Sequence, residues 1–268
     1  MLTRRRRNFI RLGVLLFIYV YSVAFAHLPD RLILFPQTGR IDAGAAIRRE
    51  IPFQNGKLEI WTAASGLAQR SQPQIYVLRF YGNGDRADRW AALEADAWDN
   101  RAVEVWGVNY PGYGGSTGPA RLTAIGPAAL AAFDALKSVA GEKPIVVFGA
   151  SLGATAALHV AAKRPVAGLV LHNPPAIRQM ILGKFGWWNL WLLAGPLAAQ
   201  IPSDLDSIAN AKAIHTPAIF LLAENDEVVP PKYHHRVAGV YAGEKRVILL
   251  KGAGHNSPIE GAALTEYH

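Results

Sequence analysis

Short apolar runs recur along the chain with helix-patterned segments between them, and this alternation leaves few folds open. The runs are Ile75–Phe80, Val103–Val108, 145–148, 168–171, 218–222 and 246–250. Most are continuously apolar, as expected of strands covered on both faces. Segments 87–100, 123–139, 154–164 and 232–241 carry apolar residues at three- and four-residue spacing and predict helices. Strand–helix–strand repetition predicts an α/β fold with a mostly parallel, doubly wound sheet. Ahead of it, 47–53 and 57–61 flank Gln54-Asn55-Gly56 and predict an antiparallel hairpin with an Asn-Gly turn, both strands lying at the sheet edge.

The run at 145–148 breaks at Gly149, presents Ser151 and restarts as an alanine-rich helix after Gly153. A serine on a sharp strand-to-helix turn is held in a strained conformation with its hydroxyl exposed, and small residues two positions away let strand and helix approach. The same G-x-S-x-G pattern recurs at Gly114 to Gly118 around Ser116. That copy sits in a glycine- and proline-rich loop with no helix after it, so context selects Ser151 and leaves Ser116 a hydrogen-bonding loop residue.

An activated serine needs a base and an acid to orient it. Asp226 follows the run at 218–222, at the carboxyl edge where open α/β sheets build their sites. His255 lies in a glycine-rich loop after the last run. The order Ser, Asp, His is that of a nucleophile-elbow hydrolase. Glu224 is the competing acid, but Asp226 stands ahead of Val228-Val229-Pro230. His172 is the competing base, read instead as a pocket-lining residue, while His159, His234 and His235 are read as structural. The oxyanion donors are expected to be the main-chain amides of Leu152 and Asn83.

Together, Tyr81-Gly82-Asn83-Gly84, the loop from Asn109 to Gly118, the Ser151 elbow, Asp226 and His255 resemble the α/β-hydrolase superfamily of serine hydrolases, in particular its membrane-anchored branch. The resemblance runs from Leu32 to the C-terminus. It implies hydrolysis of an ester, thioester or amide through an acyl-enzyme without a cofactor or a metal. Where the family usually has His-Gly, this chain has Tyr81-Gly82, so the side chain at that loop departs from the pattern while the backbone donor does not. The segment 176–205, rich in Trp, reads as a small helical cap inserted in the catalytic domain 31–268. Trp187, Trp188 and Trp191, with Tyr81 and His172, are expected to line the substrate pocket. A core helix is the alternative for the aromatic segment.

Residues 1–30 read as a basic tail followed by a hydrophobic segment. Arg4, Arg5, Arg6, Arg7 and Arg11 supply five of the +8 net charge, so the basic character is largely a property of the tail. No basic stripe with aromatics runs over the folded part, which argues against nucleic acid as a partner. The uncharged run from Leu12 to Ala26 spans about 22 Å as a helix, against roughly 30 Å of hydrocarbon. The expected reading is a signal anchor, arginines cytoplasmic and catalytic domain on the far side. A signal peptide cleaved near Ala26, releasing a secreted or periplasmic enzyme, is the alternative. The apolar stretch 30–36 is expected to tuck under the domain or lie at the interface. With no cysteine, disulfides, thiolate metal sites and a thiol nucleophile are excluded.

The expected activity is therefore hydrolysis of carboxylic esters or thioesters with an apolar small-molecule acyl substrate. Amide or peptide hydrolysis by the same residues, acyl transfer in a closed pocket, and a catalytically silent binding protein are the alternatives. Haloalkane chemistry is disfavoured, because it wants a carboxylate where Ser151 stands.

Overall fold

The computed structural model describes residues 4–24, 28–39, 41–98, 100–189 and 192–259. Eight strands form one sheet: β1 (Ile47–Phe53), β2 (Gly56–Ala64), β3 (Ile75–Phe80), β4 (Val103–Val108), β5 (Ile145–Ala150), β6 (Gly168–His172), β7 (Ala218–Ala223) and β8 (Lys245–Leu250). Their order is β1-β2-β4-β3-β5-β6-β7-β8. The β1–β2 and β2–β4 pairs are antiparallel and every later pair is parallel. The helices are α1 (Arg4–Ala24), α2 (Leu28–Ile33), α3 (Gly66–Ser71), α4 (Ala87–Asp96), α5 (Leu122–Ala140), α6 (Leu152–Lys163), α7 (Ile177–Phe185), α8 (Ala194–Ala199), α9 (Ser207–Ala213) and α10 (Pro231–Val240).

The continuous apolar runs arise because both faces are covered. Leu78, Phe80, Val147, Leu171 and Phe220 face the core shared with α5 and α6. Their neighbours Val77, Val105, Phe148, Val170 and Leu221 face a second core that includes Ala91 and Ala95 of α4. By length and composition α5 could cross a membrane. Leu122, Ile125, Ala128, Phe133 and Leu136 are instead buried in the domain core, so α5 is a core helix.

The hairpin forms where expected, with two differences. Only β1 lies at the edge, since β2 is sandwiched between β1 and β4. The turn is centred on Gln54 and Asn55, with Gln54 at φ 51°, and Gly56 already pairs with Phe53 as the first residue of β2. Glycine is needed there for closeness, because a Cβ on Gly56 would stand 1.9 Å from Thr117 Oγ1.

Helix α1 carries its apolar side chains outward: Phe9, Leu12, Leu15, Leu16 and Phe17 are all exposed. The segment after it tucks against the domain. Pro29 and Leu34 are buried, the Asp30 carboxylate accepts the Leu122 amide at the start of α5 (2.8 Å), and the Gln37 carbonyl accepts the Gly114 amide (2.8 Å). Between β6 and α9 the chain forms α7, a 3-10 turn at Trp187–Asn189, α8 and a second 3-10 turn at Ser203–Leu205.

Candidate active site

Ser151 closes β5 and caps α6 with φ 51° and ψ −120°, a left-handed conformation that L-residues rarely adopt. The two glycines of the motif make that turn possible. A Cβ on Gly149 would come within 2.3 Å of the Gly153 carbonyl oxygen, and one on Gly153 within 2.2 Å of the Phe80 carbonyl oxygen. Strand β5, helix α6 and the end of β3 therefore meet at backbone distance. The Ser151 amide is tied to the His172 carbonyl (2.8 Å), fixing the elbow to the end of β6.

Two loops at the same sheet edge converge on this serine. His255 Nε2 lies 3.1 Å from Ser151 Oγ, and His255 Nδ1 lies 2.7 Å from Asp226 Oδ2. The other Asp226 oxygen accepts the Val228 and Val229 amides at 3.0 and 2.7 Å. Burial pulls this carboxyl upward, but the His255 hydrogen bond and the two amides outweigh it and hold its pKa below the usual carboxylate range. Asp226 is thus an ionised carboxylate aimed at the imidazole.

The competing residues are occupied elsewhere. Ser116 is buried, donating to the Asn109 carbonyl (2.7 Å) and accepting the Glu59 amide (2.8 Å). Glu224 accepts the Gly252 amide (2.8 Å) and so braces the loop that carries His255. The His172 ring contacts the Asn173 side-chain amide through Nε2 (3.2 Å) while lining the cleft. Burial above all, then the positive charge of Arg79, pushes its pKa down to about 4, so it is neutral. His159 lies buried within α6 and His234 within α10, where it stacks on His235.

The cleft over Ser151 has a volume of about 610 Å³. Tyr81 and His172 line it, with Phe35, Gly82 and Asn83. Tyr81 sends its hydroxyl to Glu94 Oε2 (3.0 Å). Glu94 also holds Arg79 (2.8 Å), whose guanidinium lies over the Phe148 and Tyr81 rings at 3.9 and 4.6 Å. Charged groups thus form part of the cleft wall.

Neither of the described tryptophans expected to line the pocket, Trp187 and Trp188, borders this cleft. Trp188 borders a separate apolar groove of about 290 Å³ between α2 and the cap, with Leu32, Ile33, Ile181, Phe185 and Leu197. Trp187 is 69% exposed, and Trp191 lies outside the described residues. Residues of α2, α7 and α8 meet around this groove, which is separate from the cleft over the serine.

Of the two expected oxyanion donors, Leu152 follows the serine and begins α6, while Asn83 lines the same cleft beside Gly82, where a Cβ would lie 3.7 Å from Ser151 Cβ. Sequence reasoning missed Asn173. Its amide reaches the Leu221 carbonyl (3.0 Å), its side chain accepts the Ala223 amide (2.8 Å), and its φ of 47° turns the chain after β6. An asparagine directly after a strand-ending residue was the available signal, since asparagine tolerates that conformation. Glu227, whose carboxylate accepts the His255 amide (3.2 Å), was also missed. Among the described residues no group of three His, Asp or Glu side chains could hold a metal ion.

Comparison with known proteins agrees with this architecture. The model of the alpha/beta hydrolase fold matches residues 76–203. An uncharacterised protein of Mycobacterium tuberculosis is 28% identical over 258 residues, covering 92% of this chain and 84% of its own. Protein bem46 of Schizosaccharomyces pombe is 28% identical over 181 residues, covering 66% and 58%. Among solved structures, an esterase of Pyrococcus furiosus superposes with a TM-score of 0.59 at 18% identity, covering 84% of this chain and 90% of that one. Est1E of Butyrivibrio proteoclasticus superposes with a TM-score of 0.60 at 14% identity, covering 79% and 90%. The strand order, the elbow and these likenesses lead to one conclusion: the chain has the alpha/beta hydrolase fold.

Proposed function

We propose that this protein is a serine hydrolase that cleaves carboxylic esters or thioesters through an acyl-enzyme on Ser151. The observation that carries the reading is the unbroken hydrogen-bonded series from Asp226 to His255 to Ser151, ending on a serine in a strained turn. In this mechanism His255 Nε2 takes the hydroxyl proton as Ser151 Oγ attacks the carbonyl carbon. Asp226 stabilises the imidazolium, and the Leu152 and Asn83 amides hold the oxyanion. The proton passes to the leaving oxygen or sulfur as the tetrahedral intermediate collapses. Water, deprotonated by His255, then attacks the acyl-enzyme and regenerates the serine.

The lining of the cleft bears on substrate choice. Arg79, Glu94, Asp85 and His172 stand beside Phe35 and Trp90, so the surroundings of Ser151 are mixed and not a continuous apolar tube. This favours short or polar acyl esters over long unadorned chains. The protein is anchored by α1, arginines on the cytoplasmic side, with the exposed Phe185, Trp187 and Leu192 of the cap at the lipid interface. The exposed apolar face of α1 supports that setting.

The test is labelling with a fluorophosphonate probe, together with turnover of p-nitrophenyl acetate and p-nitrophenyl palmitate. Labelling lost on Ser151→Ala, with faster turnover of the acetate, is the expected result. Folded protein that neither labels nor turns over either ester would sink the proposal.

A further inference from the structure

The side chain of Asn83 is held by groups other than the catalytic candidates. Its Oδ1 accepts both the Phe35 amide (2.9 Å) and the Tyr113 hydroxyl (2.9 Å), while its Nδ2 donates to the Ile33 carbonyl. Two donors on one side and one acceptor on the other fix the orientation of the amide, since a flip would set its NH₂ against the Phe35 N–H. The residues on either side of Asn83 are glycines, and Gly84 has φ 82°. A loop of that composition has little stiffness of its own, so the clamp on Asn83 decides where its backbone stands.

The clamp is anchored in turn. Ile33 and Phe35 belong to the strap that leaves α1, and the strap is pinned through Asp30 to Leu122, through Gln37 to Gly114 and through Gly39 to Arg86. Tyr113 is buried and packs edge-on against Tyr110 at 5.8 Å between ring centres. Burial raises its pKa to about 12, so its hydroxyl remains a donor across the range in which an esterase is assayed.

We propose that the Asn83 side chain, with the Ile33–Phe35 stretch of the strap and Tyr113, is a positioning device for the oxyanion loop. The rate of acyl transfer then depends on a segment that precedes the sheet and continues from α1. This rests on the serine-hydrolase reading above.

The experiment uses the full chain in detergent micelles, with Asn83→Ala, Asn83→Asp and Tyr113→Phe. Asn83→Asp preserves size and both acceptor contacts but turns a carboxylate oxygen toward the Ile33 carbonyl. Loss of an oxyanion donor costs roughly 10²- to 10³-fold in kcat, and a displaced donor loses part of that. Both Asn83 variants are expected to lose about 10- to 100-fold in kcat on p-nitrophenyl acetate, with KM within about threefold. Inhibition by an alkylboronic acid, which forms a tetrahedral adduct on the serine, weakens by a similar factor. Tyr113→Phe loses about three- to tenfold in kcat, through the same pattern. Fluorophosphonate labelling carried to completion counts intact sites in each variant. Variants that label fully and keep wild-type kcat and boronate affinity overturn the inference, as does Asn83→Asp losing only melting temperature. A wild type that neither labels nor turns over removes the serine-hydrolase reading, and this inference with it.

Discussion

Gly153 sits so close to the end of β3 that a methyl group in place of its hydrogen would stand 2.2 Å from the Phe80 carbonyl oxygen. The obstacle is backbone, which cannot rotate away as a side chain could. Gly153→Ala is expected to destabilise the fold by about 3 kcal/mol or more, as overpacking of a rigid contact does. Chemical denaturation monitored by circular dichroism checks this. A midpoint equal to wild type would mean that α6 can retreat from β3.

The two rival residues separate structure from chemistry. Ser116→Ala removes a donor to the Asn109 carbonyl and an acceptor for the Glu59 amide. It should lower stability by about 1–3 kcal/mol yet leave fluorophosphonate labelling intact. Glu224→Gln keeps an oxygen for the Gly252 amide and should alter kcat by less than about threefold, whereas Asp226→Asn should lower it by about 10⁴. Steady-state kinetics on one short ester compares them directly. Equal losses at the two carboxylates would reassign the acid.

Stability should fall as pH drops below neutrality. His172 and His234 are both held at about 4 in the fold, chiefly by burial, against about 6.5 for a free imidazole. Between those values the unfolded chain takes up protons that the folded protein refuses. Their contribution is therefore complete above pH 6.5 and is lost on acidification toward pH 4, on the order of 1–3 kcal/mol per ring. Asp226, depressed below the usual range, acts in the same direction at lower pH: its contribution is present above the unfolded carboxylate pKa and is lost as pH falls through the folded value. Melting temperatures from pH 8 to pH 4 measure the slope, and His234→Phe should flatten it. A flat wild-type profile would contradict the burial of these rings.

The cap tryptophans should matter to the surroundings of the enzyme and not to its chemistry. Trp188 borders the apolar groove, and Trp187 is mostly exposed. Replacing both by serine is expected to change kcat/KM for a soluble short ester by less than about twofold while weakening contact with lipid. Quenching of tryptophan fluorescence by brominated lipid in reconstituted vesicles reads the second effect. A large loss of soluble-ester turnover would bring these rings back to the cleft.

Much of this architecture was legible because it is local. Strands buried on both faces leave unbroken apolar runs, and β3 to β8 appear close to where those runs lie. The elbow was legible for the same reason: Gly149, Ser151 and Gly153 meet their steric demands within a few residues of one another. What was hidden depends on distant partners. Nothing around Gly56 announces Thr117, and nothing near Trp188 tells that it shares a groove with Leu32 and Ile33 of α2. Asn83 was expected as a backbone donor from its loop alone, but the destination of its side chain depends on a strap 48 residues earlier in the chain. The Arg79–Glu94–Tyr81 contacts were missed because an arginine inside an apolar run reads as an interruption until its carboxylate partner on α4 is in view.

The backbone at Ser151 has a thermodynamic meaning of its own. Its conformation suits glycine, and a side chain there costs roughly 1–3 kcal/mol. A chain optimised for folding alone would carry glycine at that position. Under the proposed function, keeping a hydroxyl in this strained turn exchanges some of the protein's resistance to unfolding for a reactive group, so the elbow is where durability and use of the molecule pull in opposite directions.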